Sequence, residues 1–393
     1  MSASLRAAAP GTNHVLGPAQ SAVPVAVVGV HGHGGSHLRT VAALAEQGRV
    51  RLSAVVDPRR PDDAPAPWFP TLGDLLSSSD AAVRPEVVVI STPIPTHLPL
   101  ARAAMEAGVD VLLEKPTAAS LAEHLALVEV TERTGRRCQV GFQTFGSHAV
   151  DAVAELVADG EVGDVVGIGA VGTWVRTTGY WRRAPWAGRR RLDGRDVVDG
   201  VVTNPLAHAV ATALRIGGAR TADDVAHVVT DLWRANPIEA DDTSSLRVVA
   251  RDGLPYGFGL TLCAPERTPA RVLVLGTDGE VTLEYEHDRV LVRTPRAHVE
   301  KTYGRTGLLE DLLAARRDPE RRLACDVRDT GAFMRVLEAV RTAADPRPLG
   351  PSAVTWTGEG DDRRPVVDDV TRWCEEAARS ARTFSELGAP WTR

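Results

Sequence analysis

The chain has 393 residues, of which 44% are hydrophobic, so it is long enough to form two domains with separate cores. Its formal net charge of -6 gives no electrostatic attraction to nucleic acid or to an anionic membrane surface. No apolar run approaches the length that spans a bilayer. The four cysteines are far apart and form no C-x-x-C pair, so we expect reduced core residues in a cytoplasmic protein, with neither a disulfide framework nor a metal site.

The first 22 residues are rich in Ala, Gly, Pro and Ser. They lack the basic start and continuous apolar core of a signal peptide. We therefore expect residues 1–22 to be a disordered leader.

A strand, a glycine-rich turn and a helix are predicted at the start of the folded part. Residues 23–30 form a β-branched run, and residues 38–47 have apolar side chains at helical spacing. Glycines in such a turn let backbone amides approach a pyrophosphate at the helix N-terminus. Gly29 and Gly34 fit the first and third positions of G-x-G-x-x-G, while His31 takes the second, so the motif alone is weak. The turn residues predicted to contact a dinucleotide are Gly29, His31, Gly32, His33 and Gly34.

A second apolar strand at residues 51–56 ends in Asp57, at the distance expected for the acid that binds an adenosine ribose. A carboxylate there favours NAD over NADP, because it would repel a ribose phosphate. Arg59 and Arg60 leave NADP open, since guanidinium groups bind phosphate well. The alternative is that Asp57 only opens an Asp-Pro turn.

Strands and helices alternate strictly up to residue 143, which predicts a parallel, doubly wound sheet. Ligands of such sheets bind beyond the carboxyl ends of the strands. Residues 23–143 are therefore predicted to be a nucleotide-binding domain. Five more residues at strand ends are predicted to contact the cofactor: Thr92, Pro93, His97, Glu114 and Lys115.

Lys115 is one of only two lysines among 45 basic residues, and it follows a predicted buried strand at residues 109–113. An arginine keeps its proton, whereas a lysine amine can be tuned to release it. The position indicates a site that needs proton transfer or a compact ammonium group. The alternative is a surface lysine without function.

The second half differs in character. A segment dense in Trp and Arg at residues 180–191, which we call the Trp-Arg segment, follows a predicted strand at residues 165–175. It could bind a polyol, or could instead form a partner interface. A helix at residues 206–214 is predicted to place Asn204 and His208 one turn apart. The predicted substrate contacts are Arg176, Trp181, Trp186, Asn204 and His208.

Six later segments alternate apolar with polar residues or form apolar runs between turn signals, which predicts a mostly antiparallel sheet with one covered face. These segments are residues 226–233, 244–250, 256–262, 271–276, 279–285 and 289–294. We assign residues 144–350 to an α+β substrate and oligomerisation domain. Residues 351–393 are predicted to be a C-terminal helical extension.

These motifs together resemble the Gfo/Idh/MocA family, which includes glucose-fructose oxidoreductase and inositol dehydrogenase. The resemblance covers roughly residues 23–345, and Glu114-Lys115-Pro116 is its most specific part. The family pattern also has the glycine turn closed by a histidine, here His37, and Thr-Pro with a nearby histidine. Its Asp-x-x-x-His element corresponds here to residues 204–208, with Asn204 in place of the acid. Asp199 is a candidate replacement, although its spacing gives no support.

The resemblance implies an NAD(P)-dependent oxidoreductase that acts on a sugar, cyclitol or related polyol. It makes His208 the first choice for the base, with Lys115 bonded to the same substrate oxygen, although these roles can be exchanged. Asn204 would orient the substrate or His208. Two alternatives remain: a redox-neutral, NAD-dependent glycoside hydrolase or lyase, and a sugar sensor without catalysis. Relatives commonly assemble through the exposed face of the second sheet, which implies a homo-oligomer, a dimer or tetramer.

Overall fold

The computed structural model describes residues 22–393. The predicted leader therefore lies outside the described residues, apart from residue 22. Among the described residues, no helix combines the length and the apolar character that crossing a bilayer requires.

The first half of the chain forms a six-stranded parallel sheet in the order β3-β2-β1-β4-β5-β6. This is the strand order of a doubly wound dinucleotide fold, so the predicted fold class is confirmed. The strands are β1 (Val23–Val28), β2 (Val50–Val56), β3 (Trp68–Phe69), β4 (Val87–Ile90), β5 (Asp110–Leu113) and β6 (Cys138–Val140). The helices between them are α1 (Gly34–Glu46), α2 (Leu72–Leu76), α3 (His97–Glu106) and α4 (Leu121–Thr134).

The second sheet has nine strands in the order β16-β15-β14-β13-β7-β12-β11-β10-β17. It is mostly antiparallel, but β7 pairs with β12 in parallel, as β10 does with β17. Its strands are β7 (Val165–Thr173), β10 (Val225–Arg234), β11 (Thr243–Ala250), β12 (Pro255–Thr261), β13 (Arg271–Gly276), β14 (Glu280–Glu284), β15 (Arg289–Arg293), β16 (His298–Thr302) and β17 (Arg347–Pro348). The two-residue strands β8 (Arg191–Leu192) and β9 (Arg195–Asp196) form a separate hairpin.

The helices of the second half are α5 (His148–Ala158), α6 (Thr178–Trp181), α7 (Ala207–Ile216), α8 (Leu308–Arg317) and α9 (Gly331–Thr342). After the second sheet the chain returns to the first one, where the guanidinium of Arg316 in α8 pairs with the buried carboxylate of Asp110 in β5. Gln139 in β6 donates to Asp311 in α8 at 2.8 Å. These polar contacts attach α8 to the first sheet.

The C-terminal extension begins with a hairpin of β18 (Val354–Thr357) and β19 (Arg364–Val367), which the helical prediction missed. It continues with α10 (Val370–Ser380) and α11 (Phe384–Leu387). Aromatic residues Trp373, Phe384 and Trp391 pack with sheet residues into a second apolar core. The extension is therefore an integral layer of the fold.

Helix α10 lies across the middle of the second sheet, on the face opposite α7. The prediction of a single covered face is wrong there, because three strand positions are glycines. A Cβ on Gly169 would lie 2.6 Å from the carbonyl oxygen of Ala378, and one on Gly257 would lie 2.5 Å from that of Ala377. A Cβ on Gly259 would overlap the backbone of Cys374. The missing side chains let the helix backbone rest directly on the strands.

We expect Gly259→Ala to lower the free energy of unfolding by about 1–3 kcal/mol or more, because α10 would have to move outward. Urea unfolding followed by circular dichroism measures this change. Gly350→Ala is the matched control, since its new Cβ would have only the Ser352 hydroxyl near it, at 3.9 Å. Equal stability of the two variants would show that α10 does not press on β12.

Candidate active site

The carboxyl ends of the four central strands of the first sheet lie at one edge, which we call the rim, as the sequence predicts. These strands are β2, β1, β4 and β5. The glycine turn follows β1, Asp57 follows β2, Thr92 comes two residues after β4, and Glu114 and Lys115 follow β5. This rim faces the start of α7 in the second half, because the Lys115 side chain reaches Asn204.

The glycine turn is tight and leaves backbone donors free. Gly29 and Gly32 adopt positive φ values of 82° and 60°. A Cβ on Gly29 would overlap Ser91, and one on Gly34 would overlap the Gly29 carbonyl, so both positions require glycine. Within residues 22–393, the backbone amides of residues 31–33 have no hydrogen-bond acceptor. Three free amides ahead of a helix form a seat for a pyrophosphate.

The His31 side chain does not fill this seat. Its Nε2 accepts a hydrogen bond from Arg59 Nε at 3.2 Å and lies 3.7 Å from an oxygen of Asp57. The carboxylate of Asp57 accepts the amides of Val30 at 3.1 Å and Arg59 at 3.0 Å, one on each oxygen. Each oxygen keeps one lone pair for a ribose hydroxyl. The turn and the acid thus fit a dinucleotide.

His97 has a different position from the predicted cofactor contact. The side chain is only 1% exposed, and its two ring nitrogens lie 2.9 Å from the carbonyl oxygens of Pro116 and Thr92. Burial lowers the pKa of His97. The prediction of direct contact is therefore wrong: His97 ties the turn after β4 to the turn after β5. Thr92 and Pro93 remain at the rim, where the Thr92 hydroxyl bonds that of Thr96 at 2.6 Å.

Glu114 is the acceptor in a small polar network beneath the rim. His37 Nε2 lies 2.9 Å and His33 Nε2 lies 3.3 Å from the same carboxylate oxygen. Gln143 and the Lys115 amide also donate to the carboxylate. Burial alone would raise the pKa of Glu114, but the hydrogen bonds from the two histidines hold it well below its usual range. The bond to Glu114 raises the pKa of His33.

The same network is the one group of metal-ligand atoms found within the described residues. The ligand atoms of His33, His37 and Glu114 all lie within 4.8 Å of one another. Hydrogen bonds between the histidines and the carboxylate account for this arrangement.

Lys115 lies between the two halves. Its Nζ donates to the side-chain oxygen of Asn204 at 2.5 Å and lies 3.3 Å from the Asn204 backbone oxygen. Burial lowers the pKa of Lys115, while the charges of Glu114 and Asp199 oppose this and that of Arg183 adds to it. The amine therefore gives up its proton more readily than an exposed lysine does.

Asp199 connects Asn204 to the Trp-Arg segment. The Asn204 side-chain amide donates to Asp199 at 2.5 Å, and Asp199 also accepts from Arg183 at 3.1 Å and from the Gly188 amide at 2.8 Å. The result is a chain of polar groups, Arg183–Asp199–Asn204–Lys115, which we call the relay chain. Asp199 is thus the carboxylate that lies one hydrogen bond behind Asn204.

Asn204 is not on the predicted helix. It precedes Pro205, and a residue before proline avoids helical backbone angles, so α7 begins only at Ala207. His208 is in the first turn of α7, with its ring against Phe142 at a centroid distance of 5.6 Å. Its Nδ1 is buried and has no hydrogen-bond partner within residues 22–393. Burial and the nearby Lys115 lower the pKa of His208 to about 3, so the imidazole is neutral.

The Trp-Arg segment forms one wall of the site through stacked rings and guanidinium groups. Arg183 lies 3.7 Å from the Tyr180 ring centroid and 4.6 Å from that of Trp186. Trp181 packs edge-on against Tyr180 at 4.9 Å. Arg176, another predicted substrate contact, lies over the Tyr180 ring at 4.7 Å from its centroid.

Sequence reasoning did not assign a role to Arg183 or Tyr180, and it left Asp199 without support. Asp199 was considered only because Asn204 stands where the family pattern has an acid, so a nearby carboxylate was sought. No spacing rule could supply it, since a turn of irregular backbone separates Asp199 from Asn204.

Comparison with known proteins agrees with this geometry. A family model described as an oxidoreductase family with an NAD-binding Rossmann fold, Gfo/Idh/MocA, matches residues 23–142. An inositol 2-dehydrogenase of Rubrobacter xylanophilus is 36% identical over 146 residues, which are 36% of this chain and 41% of that protein. A glycosyl hydrolase family 109 protein of Shewanella sp. is 30% identical over 139 residues, 32% of this chain and 29% of that protein. The chain thus matches less than half the length of either relative.

Among solved structures, the WlbA dehydrogenase of Bordetella pertussis, in complex with NADH and UDP-GlcNAcA, is similar over 81% of this chain and 95% of that one. The TM-score is 0.65 and the identity is 22%, which shows a shared fold. The match at residues 23–142 shows that this part of the chain has the NAD-binding Rossmann fold of the Gfo/Idh/MocA oxidoreductase family.

Proposed function

We propose that this chain is an NAD-dependent oxidoreductase that oxidises a hydroxyl group of a sugar, cyclitol or related polyol. The observation that carries the proposal is the position of Lys115, a lysine of lowered pKa between the dinucleotide seat and the Trp-Arg wall. The inositol 2-dehydrogenase among the relatives supports the substrate class. A bound nicotinamide dinucleotide supplies the two-electron redox chemistry.

The residues of the rim hold the cofactor in this proposal. The free amides of residues 31–33 bind the pyrophosphate, and Asp57 binds the ribose of the adenosine half. The Asp57 carboxylate favours NAD. The Arg59 side chain, which donates to His31, leaves NADP open as the cofactor, because a guanidinium group binds phosphate well.

Lys115 is the group that accepts the hydroxyl proton. Its lowered pKa favours loss of the ammonium proton, and Asn204 fixes the amine by accepting one of its hydrogens. His208 is less suited to this task, because its pKa of about 3 disfavours the imidazolium that proton transfer would form. His208 instead orients the substrate as a neutral hydrogen-bonding group. These pKa shifts support Lys115 as the base and His208 as the second group on the substrate oxygen, which is the reverse of our first choice.

A second candidate function rests on the similarity to the glycosyl hydrolase family 109 protein. In that case the cofactor would be restored in each cycle, and the net reaction would be hydrolysis. The same residues would serve, so only the net reaction separates the two proposals.

The proposal is tested by adding NAD and a panel of polyols, including myo-inositol, to the full chain and recording the absorbance of the reduced nicotinamide. We expect one or more polyols to be oxidised. Lys115→Ala should lower kcat by about 10²–10⁴-fold, because general base catalysis contributes that much, while Lys301→Ala should leave it unchanged. Cleavage of a nitrophenyl glycoside without net reduction of NAD would favour the hydrolase. Near-normal turnover in Lys115→Ala would remove Lys115 from the mechanism.

The pH dependence of kcat/KM should report the titration of Lys115. Activity rises with pH as the amine loses its proton. Asp199→Asn removes a negative charge that raises the pKa of Lys115, so the rising limb should move to lower pH. Arg183→Gln removes a positive charge that lowers this pKa, so the limb should move to higher pH.

Arg182→Gln is the matched control for this pair, because Arg182 is 68% exposed and pairs with Asp361 away from the site. The rising limb of the kcat/KM profile of this variant should stay at the same pH as in the wild type. Shifts of Asp199→Asn and Arg183→Gln in the same direction would mean that another group controls the limb.

Two substitutions of His208 separate orientation from proton transfer. His208→Gln keeps a neutral hydrogen-bonding group, so we expect it to retain most of the turnover, whereas His208→Ala should lose about tenfold or more. Steady-state kinetics at the pH optimum measures both. Equal loss in the two variants, with the rising limb of the pH profile removed, would show that His208 is the base.

A further inference from the structure

Arg176 lies on the face of the second sheet that carries the site. Side chains alternate between the two faces of a strand, so Gly172, Trp174 and Arg176 point the same way along β7 and its continuation. A Cβ on Gly172 would meet the side chain of Leu206, which lies between Asn204 and His208 in the sequence. Arg176 is therefore on the side of Asn204 and His208, toward the open end of the sheet.

The guanidinium of Arg176 lies between two aromatic rings. It is 5.0 Å from the Trp174 ring centroid and 4.7 Å from that of Tyr180, whose other neighbour is Arg183. Rings on two sides fix the plane of the guanidinium and limit its contact with water. This places a rigid cation in the wall of the site.

This cation lacks a counter-charge. Within the described part of the chain, no Asp or Glu forms an ion pair with Arg176, and its Nε is buried without an acceptor. Its Nη1 donates only to a neutral group, the carbonyl of Val175, at 3.0 Å. The neighbouring arginines are different: Arg183 pairs with Asp199 and Arg267 pairs with Glu286.

Two further donors of the same wall are buried without partners, namely Trp174 Nε1 and Trp181 Nε1. An unpaired buried donor costs about 1–3 kcal/mol, and more when it is charged. Within the described residues, Arg176 is thus a cation of this wall that no carboxylate neutralises, which suits it to bind an anionic group.

We propose that Arg176 binds a carboxylate or phosphate group of the substrate. The substrate is then an acidic sugar derivative, such as a uronate or a sugar phosphate, with its reacting hydroxyl at Lys115. This inference rests on the proposed function, and it narrows the substrate class beyond neutral polyols. The planar guanidinium binds both anions through paired hydrogen bonds, and the rings beside it stack on the sugar.

The test compares three probes that share one ring: glucose, glucuronate and glucose 6-phosphate. Binding to the NAD-loaded full chain is measured by calorimetry. We expect one of the two anions to bind more tightly than glucose, and its identity tells carboxylate from phosphate. Arg176→Gln should weaken binding of that anion by about 10–100-fold and leave glucose unaffected, because a charge-assisted hydrogen bond contributes that much. Arg176→Lys should restore part of the affinity.

Arg267→Gln is the matched control, since Arg267 lies over the same Trp174 ring at 4.8 Å but is neutralised by Glu286. It should bind the anion as the wild type does. An equal response to all three probes, or equal loss in the Arg176 and Arg267 variants, overturns the inference. Fluorescence titration of NADH alone separates this failure from that of the proposed function: if NADH does not bind, the proposed function fails, and if it binds, only the Arg176 site fails.

Discussion

The charge of one buried amine governs the arrangement of this site. Burial lowers the pKa of Lys115, and the charges of Glu114 and Asp199 oppose that effect. This balance suits the role of proton acceptor that we propose, since a lysine that merely bound an anion would be more useful fully charged. The two halves of the chain meet at this amine: the first sheet supplies its backbone, and the turn before α7 supplies its acceptor.

The relay chain offers a physical account of Asn204. An acid directly against Lys115 would stabilise the ammonium, whereas an amide accepts a hydrogen without adding charge. Placing the carboxylate of Asp199 behind the amide keeps the asparagine oriented with its oxygen toward Lys115. The negative charge then acts on the amine from a distance, and Arg183 reduces it further.

The sequence alone was enough to predict most of the fold, because its signals are local. Apolar runs bounded by turns gave most strands of both sheets within one or two residues, and the rim followed from parallel pairing, but β3, β16 and β17 were not predicted. What failed depended on contacts between distant segments. The burial of His97 results from the approach of two turns, and the covered face of the second sheet results from three glycines meeting a helix more than a hundred residues later. The alternation of apolar and polar residues along a strand carries no information about contacts with distant segments.

The C-terminal helix α10 has a consequence for self-association. Helix α10 covers one face of strands β7, β11 and β12, so the side chains of these strands are not exposed on that face. A second molecule cannot pack its own sheet against them while α10 is in place, so any pairing of subunits has to use other surfaces, such as the outer strands. In this chain an intramolecular helix therefore covers the central part of the sheet face that the sequence analysis expected subunits to share, and the packing of α10 decides whether that face is free.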